Sequence, residues 1–166
     1  MRLPVVPTVD QVRTLPRLLT REVPPEHLDQ NGHMNIQHYL GLYDAAGLPF
    51  FASIGIGLDY FTERRLGIFD LEHHLWYLAE CHAGDRVSVH GRLLARSAKR
   101  IHAVWFLVND TREALSNVFE FVSSHADLEA RRTAAFPPDV AERLDRLLDE
   151  HTALSWPCPT SGTMSA

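Results

Sequence analysis

The stretch VPPEHLDQNGHMN, residues 23–35, separates a strand-like segment from a helical one. Residues 15–23 have strand character, and Pro24-Pro25 ends the strand because proline donates no hydrogen bond to a sheet ladder. Beyond the stretch, apolar residues recur at helical spacing from Met34 to Ala45. The sequence therefore predicts a polar loop that runs directly into the start of a helix.

The helix has recognisable signals at both ends. Asn31 and Asn35 are each suited to cap its start, since an asparagine side chain can accept a hydrogen bond from a free N–H of the first turn. Gly47 and Pro49 are expected to end the helix or to kink it. Residues 50–56 are then expected to form a short second turn of helix.

The remainder of the chain has the pattern of a sheet followed by one more helix. Four strands are predicted at Leu66–Ala79, Arg86–Ser97, Arg100–Asn109 and Ala114–Asp127, and an amphipathic helix at Asp139–His151. Short turns between the strands indicate antiparallel pairing. The long helix is the natural cover for the apolar face of this sheet, so the predicted class is α+β, with a five-stranded antiparallel sheet, a central helix and a C-terminal helix.

Composition narrows the functional classes. The 166 residues suit a single domain, predicted at 16–152, with a lead-in at 1–15 and a disordered tail at 153–166. A net charge of −5 argues against a general nucleic-acid binder. The N-terminus lacks the apolar run of a signal peptide, and no apolar stretch is long enough to span a membrane. Cys81 and Cys158 form no disulfide framework, so a reducing, cytoplasmic setting is expected.

Residues 23–35, followed by Tyr39, resemble the hotdog-fold acyl-CoA thioesterases of the 4-hydroxybenzoyl-CoA thioesterase type. That family shows an acidic residue, two further residues, then Gly-His-Val/Met-Asn and a helix that bears a tyrosine. Gly84-Asp85 matches the family's turn between strands, and residues 124–127 with Phe136-Pro137 match the end of its last strand. The resemblance covers about residues 16–148.

Within that family the chain looks most similar to the carnitine-pathway branch, the betainyl-CoA thioesterases. Residues 23–26, residues 31–34, and Glu72 with His74 carry this likeness. The chain departs from the family at His27, where a second acidic residue is common. The resemblance implies hydrolysis of a small acyl-CoA, coenzyme A as part of the substrate with no other cofactor, and a homodimer or homotetramer whose sites form between subunits.

By this resemblance Asp29 is the carboxylate that faces the thioester, as nucleophile or as general base. The alternative is that Asp29 only stabilises a turn. A helix start offers free N–H groups and a positive dipole end, so the backbone around Asn35 and Ile36 is the candidate for polarising the carbonyl oxygen. His33 either orients water or substrate, or is structural.

The substrate-binding candidates lie on the helix and on the first long strand. Tyr39 is one, with packing as its alternative role. Glu72, His74 and Trp76 alternate along a strand and so share one face, which meets either the substrate pocket or solvent. If the acyl group is cationic, an aromatic residue is expected to face it, with these candidates: Trp76, Tyr77 and Trp105.

Lys99 and Arg100 occupy a strand turn, where they either bind the phosphates of coenzyme A or are simply solvated. The histidines and acidic residues lack the spacing of a metal site, so no metal is expected.

Two other functions compete with the thioesterase. Hotdog enoyl-CoA hydratases and dehydratases carry an Asn-Pro-x-His segment, whereas Asn31 is followed here by Gly32. A hotdog module that binds acyl-CoA without turnover is the second alternative, because a fold does not fix an activity.

Overall fold

The computed structural model describes residues 5–166, so the first four residues of the predicted lead-in lie outside the described part of the chain. Its helices and strands run in the following order: α1 Val9–Arg13, β1 Arg17–Glu22, a 3-10 turn Pro25–His27, α2 Ile36–Ser53, α3 Leu58–Thr62, β2 Leu66–Tyr77, β3 Arg86–Arg96, β4 Arg100–Asn109, β5 Ala114–Asp127, β6 Arg132–Thr133 and α4 Pro138–Thr152.

The strands form one antiparallel sheet in the order β1-β3-β4-β5-β2, and the two-residue β6 also pairs with β5. All neighbouring pairs are antiparallel. One face of the sheet packs on α2, as the sequence predicted, because the strands alternate and α2 carries the long apolar surface that can cover them. The predicted α+β class and central helix are confirmed.

The central helix is longer than predicted. Asn35 caps it, since its side-chain oxygen accepts the Gln37 N–H at 3.1 Å. The helix then continues through Gly47 and Pro49 to Ser53, so it does not end at these two residues, and of the two expected outcomes only a kink remains. Proline removes one helical hydrogen bond, but the buried neighbours on either side, Ala46 and Phe50, hold the helix against the sheet.

The separate helical turn lies later in the chain than predicted. Residues 50–53 belong to α2, and the short helix is α3 at Leu58–Thr62. Its Tyr60 is 1% exposed, and the Tyr60 hydroxyl lies 2.6 Å from Nε2 of the buried His125. This contact attaches α3 to β5.

The other face of the sheet is covered by the two ends of the chain. Val12 of α1 and Trp156 of the tail are buried in a second apolar cluster on this face. Arg92 donates hydrogen bonds to the carbonyl oxygens of His151 and Trp156, and its guanidinium lies 4.4 Å from the centre of the Trp156 ring. Further along, the Ser161 N–H donates to Glu120 at 2.7 Å. The tail at 153–166 was expected to be disordered; the structure instead packs it on the sheet.

Candidate active site

Asp29 lies in a tight turn between Leu28 and Met34, which form an isolated antiparallel bridge. Its side chain is 12% exposed. One carboxylate oxygen accepts the Asn31 N–H at 2.8 Å, and the other accepts from the Asn35 side-chain Nδ2 at 3.4 Å. Gly32 makes the turn possible, since its φ of +80° lies in the left-handed region that favours glycine. These contacts fix a carboxylate beside the start of α2.

The N–H groups at the start of α2 are not equally available. The Asn35 N–H donates to the His27 carbonyl oxygen at 2.8 Å, so it is already used. The Gln37 N–H donates to the Asn35 side chain. Ile36 N–H donates to no acceptor in the described part of the chain, and Ile36 is 66% exposed. Of the two predicted donors, only Ile36 is therefore placed to polarise a carbonyl oxygen, and Asn35 serves as the helix cap.

Three histidines surround this turn. His33 Nδ1 lies 3.9 Å from an Asp29 oxygen, which is beyond hydrogen-bond length. The His27 and His38 rings stack with centroids 3.8 Å apart. Burial, and then the neighbouring His38, lower the pKa of His27, so a neutral ring is favoured where the family often has an acid. The stack was not predicted from sequence, because it joins two residues eleven positions apart across the turn.

Tyr39 does not face an open site. It is 4% exposed and packs edge-on against the Tyr77 ring at 5.0 Å. Burial is the main cause that raises the pKa of Tyr39, with the buried Cys81 beside it as a further cause. The structure therefore supports the packing alternative for Tyr39.

Glu72, His74 and Trp76 share a face of β2, as expected, but this is the face turned away from α2. Trp76 is buried in the outer apolar cluster, and its ring lies 4.1 Å from that of His74. Their proposed role in substrate binding receives no support from this placement. The sequence did not indicate whether these three side chains meet the substrate pocket or solvent. In the structure they lie on the outer face of the sheet, away from α2.

The inner face of β2 instead presents Asp70 and His73, which were not among the predicted site residues. A register shift between Asp70 and Glu72 inserts an extra residue, so side chains three apart point the same way. His73 Nε2 lies 3.3 Å from one Asp70 oxygen, and the Ser123 hydroxyl donates to the other at 2.5 Å. A bulge of this kind leaves no clear signal in the sequence.

A cavity of about 370 Å³ lies between α2 and the inner face of β2. Its walls combine aromatic rings with two carboxylates: Tyr43, Asp44, Phe51, Phe61, Asp70, His73, Trp105, Phe119 and Phe121. The cavity begins at Leu40, five residues after Asn35, which corresponds to about 7.5 Å along the helix axis. The described lining of the cavity includes no residue of the Asp29 turn.

Lys99 and Arg100 line a separate groove together with hydroxyl side chains. This groove adjoins another cavity of about 380 Å³ whose lining includes Arg131 and Arg132, and the two share Ser124 and Thr133. No ion pair joins a described residue to any of the four cations that line these cavities, which are Lys99, Arg100, Arg131 and Arg132. The predicted basic pair is therefore part of a larger basic region. The sequence alone did not indicate that region, because the two pairs of cations are some thirty residues apart along the chain.

Within residues 5–166 no group of three or more His, Cys, Asp or Glu side chains is arranged to hold a metal ion. None of the helices described is both long and apolar enough to cross a membrane. Cys81 and Cys158 are both free.

Sequence comparison finds relatives over most of the chain. The profile of the thioesterase-like superfamily matches residues 23–144. A betainyl-CoA thioesterase of Pseudomonas aeruginosa is 34% identical over 145 residues, which cover 84% of this chain and 89% of that protein. An L-carnitine dehydrogenase/betainyl-CoA thioesterase of Ruegeria pomeroyi is 29% identical over 155 residues, covering 93% of this chain but only 31% of that longer protein.

Solved structures share the fold. A Staphylococcus aureus protein solved in complex with CoA superposes with a TM-score of 0.79 at 24% identity, covering 86% of this chain and 90% of the other. A 1,4-dihydroxy-2-naphthoyl-CoA thioesterase from Synechocystis gives a TM-score of 0.68 at 18% identity, covering 78% and 95%. At 24% and 18% identity, these two structures show that the fold is shared and nothing more.

Proposed function

Since this chain belongs to the thioesterase-like superfamily, we propose that it hydrolyses a small acyl-CoA to the free acid and coenzyme A. The observation that carries the proposal is the fixed Asp29 carboxylate next to the unoccupied Ile36 N–H at the start of α2. The first supplies a nucleophile or a base, and the second a donor for the thioester oxygen.

Asp29 can act in two ways in this proposal. As a nucleophile, its oxygen bonds to the acyl carbon, the C–S bond breaks, the thiolate of coenzyme A leaves, and water then hydrolyses the mixed anhydride. As a general base, Asp29 takes a proton from water while the water oxygen adds to the same carbon; the C–S bond then breaks, and the proton held by Asp29 passes to the leaving thiolate of coenzyme A. In both routes the carbonyl oxygen gains negative charge, which the Ile36 N–H and the positive end of α2 stabilise.

For the coenzyme A moiety we propose the basic region around Lys99 and Arg100, extended by Arg131 and Arg132. A nucleotide with several phosphates needs cations that are not already neutralised by neighbouring carboxylates. None of the four side chains forms an ion pair with a described residue, although Asp127 lines the same cavity as Arg131 and Arg132. The exposed Thr133 hydroxyl, which lines both cavities, can donate to a phosphate oxygen.

The acyl groups to be tested first are betainyl, because relatives are named for it, and then short-chain and aromatic groups. Release of free thiol is measured with each acyl-CoA, and hydration of crotonyl-CoA is followed in parallel. We expect thiol release with at least one small acyl-CoA. Hydration without thiol release would favour a hydratase, and tight binding of acyl-CoA without either reaction would favour a non-catalytic module.

A further inference from the structure

The two chemical groups of the proposed site lie on separate segments of the chain. The Asp29 carboxylate belongs to the turn before α2, and the Ile36 N–H belongs to the first residue of α2. His27 precedes Asp29 by two positions, and His38 follows Ile36 by two. The rings of these two histidines stack face to face, with centroids 3.8 Å apart and planes inclined by 6°. We propose that the His27–His38 stack is a positioning pair that sets the Asp29 carboxylate against the Ile36 N–H. The inference rests on the proposed function and adds two positioning residues to the same site.

The stack adds a side-chain contact to a short backbone ladder between the two arms of the turn. Leu28 and Met34 form the isolated antiparallel bridge, and the Asn35 N–H donates to the His27 carbonyl oxygen at 2.8 Å. Two short strands paired in isolation are marginally stable at best in water, so they need further packing. The His27 ring provides such packing, because it lies flat on the His38 ring in the first turn of α2.

The two arms of the turn are attached unequally to the rest of the molecule. On the helix side, Met34 is 1% exposed, and its N–H donates to the Cys81 carbonyl oxygen at 2.8 Å. On the other side, the segment that leads to Asp29 begins with Pro24-Pro25, which have no N–H to donate. The helix side is therefore fixed by the core, and the position of Asp29 against it depends on the bridge and on the contacts of His27.

The stacking surface, and not the ring nitrogens, is what this role requires. Two imidazolium rings at 3.8 Å would repel each other. The Gln37 side-chain Nε2 lies 3.3 Å from His38 Nε2, and because an amide nitrogen only donates, this contact fits an unprotonated ring nitrogen. A phenyl ring keeps the stacking surface and lacks the nitrogens. Phenylalanine variants therefore separate stacking from proton chemistry.

A positioning pair affects the chemical step and not the binding of coenzyme A. Because a carboxylate and a donor act together on one carbonyl group, a displacement of about 1 Å between them can cost roughly 10²-fold in rate. The proposed phosphate contacts lie in the separate groove that Lys99 and Arg100 line. Loss of the stack is therefore expected to lower kcat and to leave KM near its wild-type value.

The test compares kcat and KM for thiol release in the wild type, His38→Ala and His38→Phe. Alanine is a good helix former, so His38→Ala removes the ring without weakening α2. We expect kcat to fall roughly tenfold to 10²-fold in His38→Ala, while His38→Phe and the matching His27→Phe stay close to the wild type. An unchanged kcat in His38→Ala overturns the inference. A loss in His38→Phe as large as that in His38→Ala also overturns it, because the ring nitrogens would then carry the role.

A readout without turnover separates this inference from the proposed function. Amide hydrogen exchange of the Asn35 N–H, which donates to the His27 carbonyl oxygen, is followed by NMR in the same variants. We expect exchange to be severalfold faster in His38→Ala and unchanged in His38→Phe. The Val23 N–H, which donates to the Asp85 carbonyl oxygen at 2.9 Å outside the turn, is the internal control.

The two proposals can fail independently in these measurements. Wild-type exchange at Asn35 in His38→Ala overturns the positioning pair even if an acyl-CoA is hydrolysed. A wild type that releases no thiol from any acyl-CoA contradicts the proposed function alone, and faster Asn35 exchange in His38→Ala would still support the stack as the contact that holds the turn on α2.

Discussion

At the scale of single residues, the proposed chemistry depends on Asp29. Replacing it by asparagine keeps an oxygen that can accept the Asn31 N–H but removes the charge. We expect kcat to fall roughly 10²–10⁴-fold if the carboxylate is a general base, and at least as much if it is the nucleophile. The rate of thiol release at steady state measures the effect. Asp145→Asn, which removes the same charge elsewhere on the surface, is the control.

The turn alternative makes the opposite prediction for the same variant. If Asp29 only stabilises the loop, Asp29→Asn keeps near-normal kcat, and the melting temperature falls by an amount that corresponds to a weakened turn hydrogen bond, about 0.5–1.5 kcal/mol. Normal turnover in this variant would remove Asp29 from the proposed mechanism. A melting curve recorded alongside the kinetics therefore distinguishes a chemical role from a structural one.

The basic residues are expected to affect binding and not chemistry. Lys99→Ala with Arg100→Ala is predicted to raise KM for acyl-CoA by at least roughly tenfold, with little change in kcat, since one charged hydrogen bond contributes about 1.5–3 kcal/mol and about 1.4 kcal/mol corresponds to a factor of ten. Arg131→Ala with Arg132→Ala is predicted to act in the same direction. Arg21→Ala, an exposed cation on β1, is the control. An unchanged KM in both double variants would mean that these side chains are merely solvated.

How far the sequence predicts the site differs from residue to residue. The Asp29 turn and the Asn35 cap follow from local patterns, because each contact spans only a few positions. Asp70 and His73 could not be chosen in advance, since strict alternation places Asp70 with Glu72 and only the bulge brings it to the cavity. Arg131 and Arg132 were missed for another reason, as they approach Lys99 only after β5 and β6 have paired.

At the scale of elements, α4 protects the part of β3 that β1 leaves unpaired. β1 pairs with β3 only as far as His90. Beyond that point the Leu93 N–H donates to His151 Nδ1 at 2.8 Å, so the C-terminal turn of α4 closes the edge. The sequence predicted both elements, but the contact between them depends on the path of the chain after Pro137-Pro138.

This contact makes stability depend on pH. Burial is the main cause that lowers the pKa of His151 to about 4 in the folded state, from the ordinary histidine value of 6.5. Between these values the unfolded chain binds a proton that the folded protein excludes, so stability is full above about pH 6.5 and is lost as pH falls toward 4. For this one group we expect a loss of about 2 kcal/mol between pH 7 and pH 5.

Urea unfolding at these two pH values, on wild type and His151→Gln, measures that contribution. Glutamine can still accept the Leu93 N–H but does not titrate. His90 and His125 also have lowered pKa values and act in the same direction in both proteins, so only the difference between the proteins reports on His151. Equal pH dependence in the two proteins would contradict the prediction.

At the scale of the whole molecule, the two faces and the two edges of the sheet have different surroundings. The inner face is covered by α2, and the outer face by α1 and the tail. The tail was expected to be disordered because it is small and polar, but Trp156 and the hydrogen bonds from Arg92 attach it to the sheet. Contacts between residues so far apart along the chain cannot be predicted from the amino-acid composition of the tail.

The edge at β2 has no neighbouring strand within residues 5–166. Exposed large apolar side chains follow this edge and the adjoining side of α2: Ile36, Leu40, Leu48, Phe69, Leu71 and Tyr77. An edge strand of twelve residues that exposes several large apolar side chains would invite uncontrolled pairing, and proteins normally cover or pair such an edge. We therefore expect a second copy of the chain to pair at β2, as the family resemblance also implies.

Sedimentation at micromolar concentration is predicted to show a homodimer, or a tetramer built from such dimers. Phe69, which is 66% exposed on β2, provides the test of the interface, because Phe69→Arg would place a desolvated charge between the two copies. We expect this variant to sediment as a monomer and to lose thiol release if the site forms between subunits. Val6→Arg, which changes an apolar side chain that is 55% exposed near the N-terminus, should leave both properties unchanged. A wild-type monomer would leave the apolar edge without a partner and would contradict the proposed assembly, whereas a dimer that persists in Phe69→Arg would place the interface away from β2.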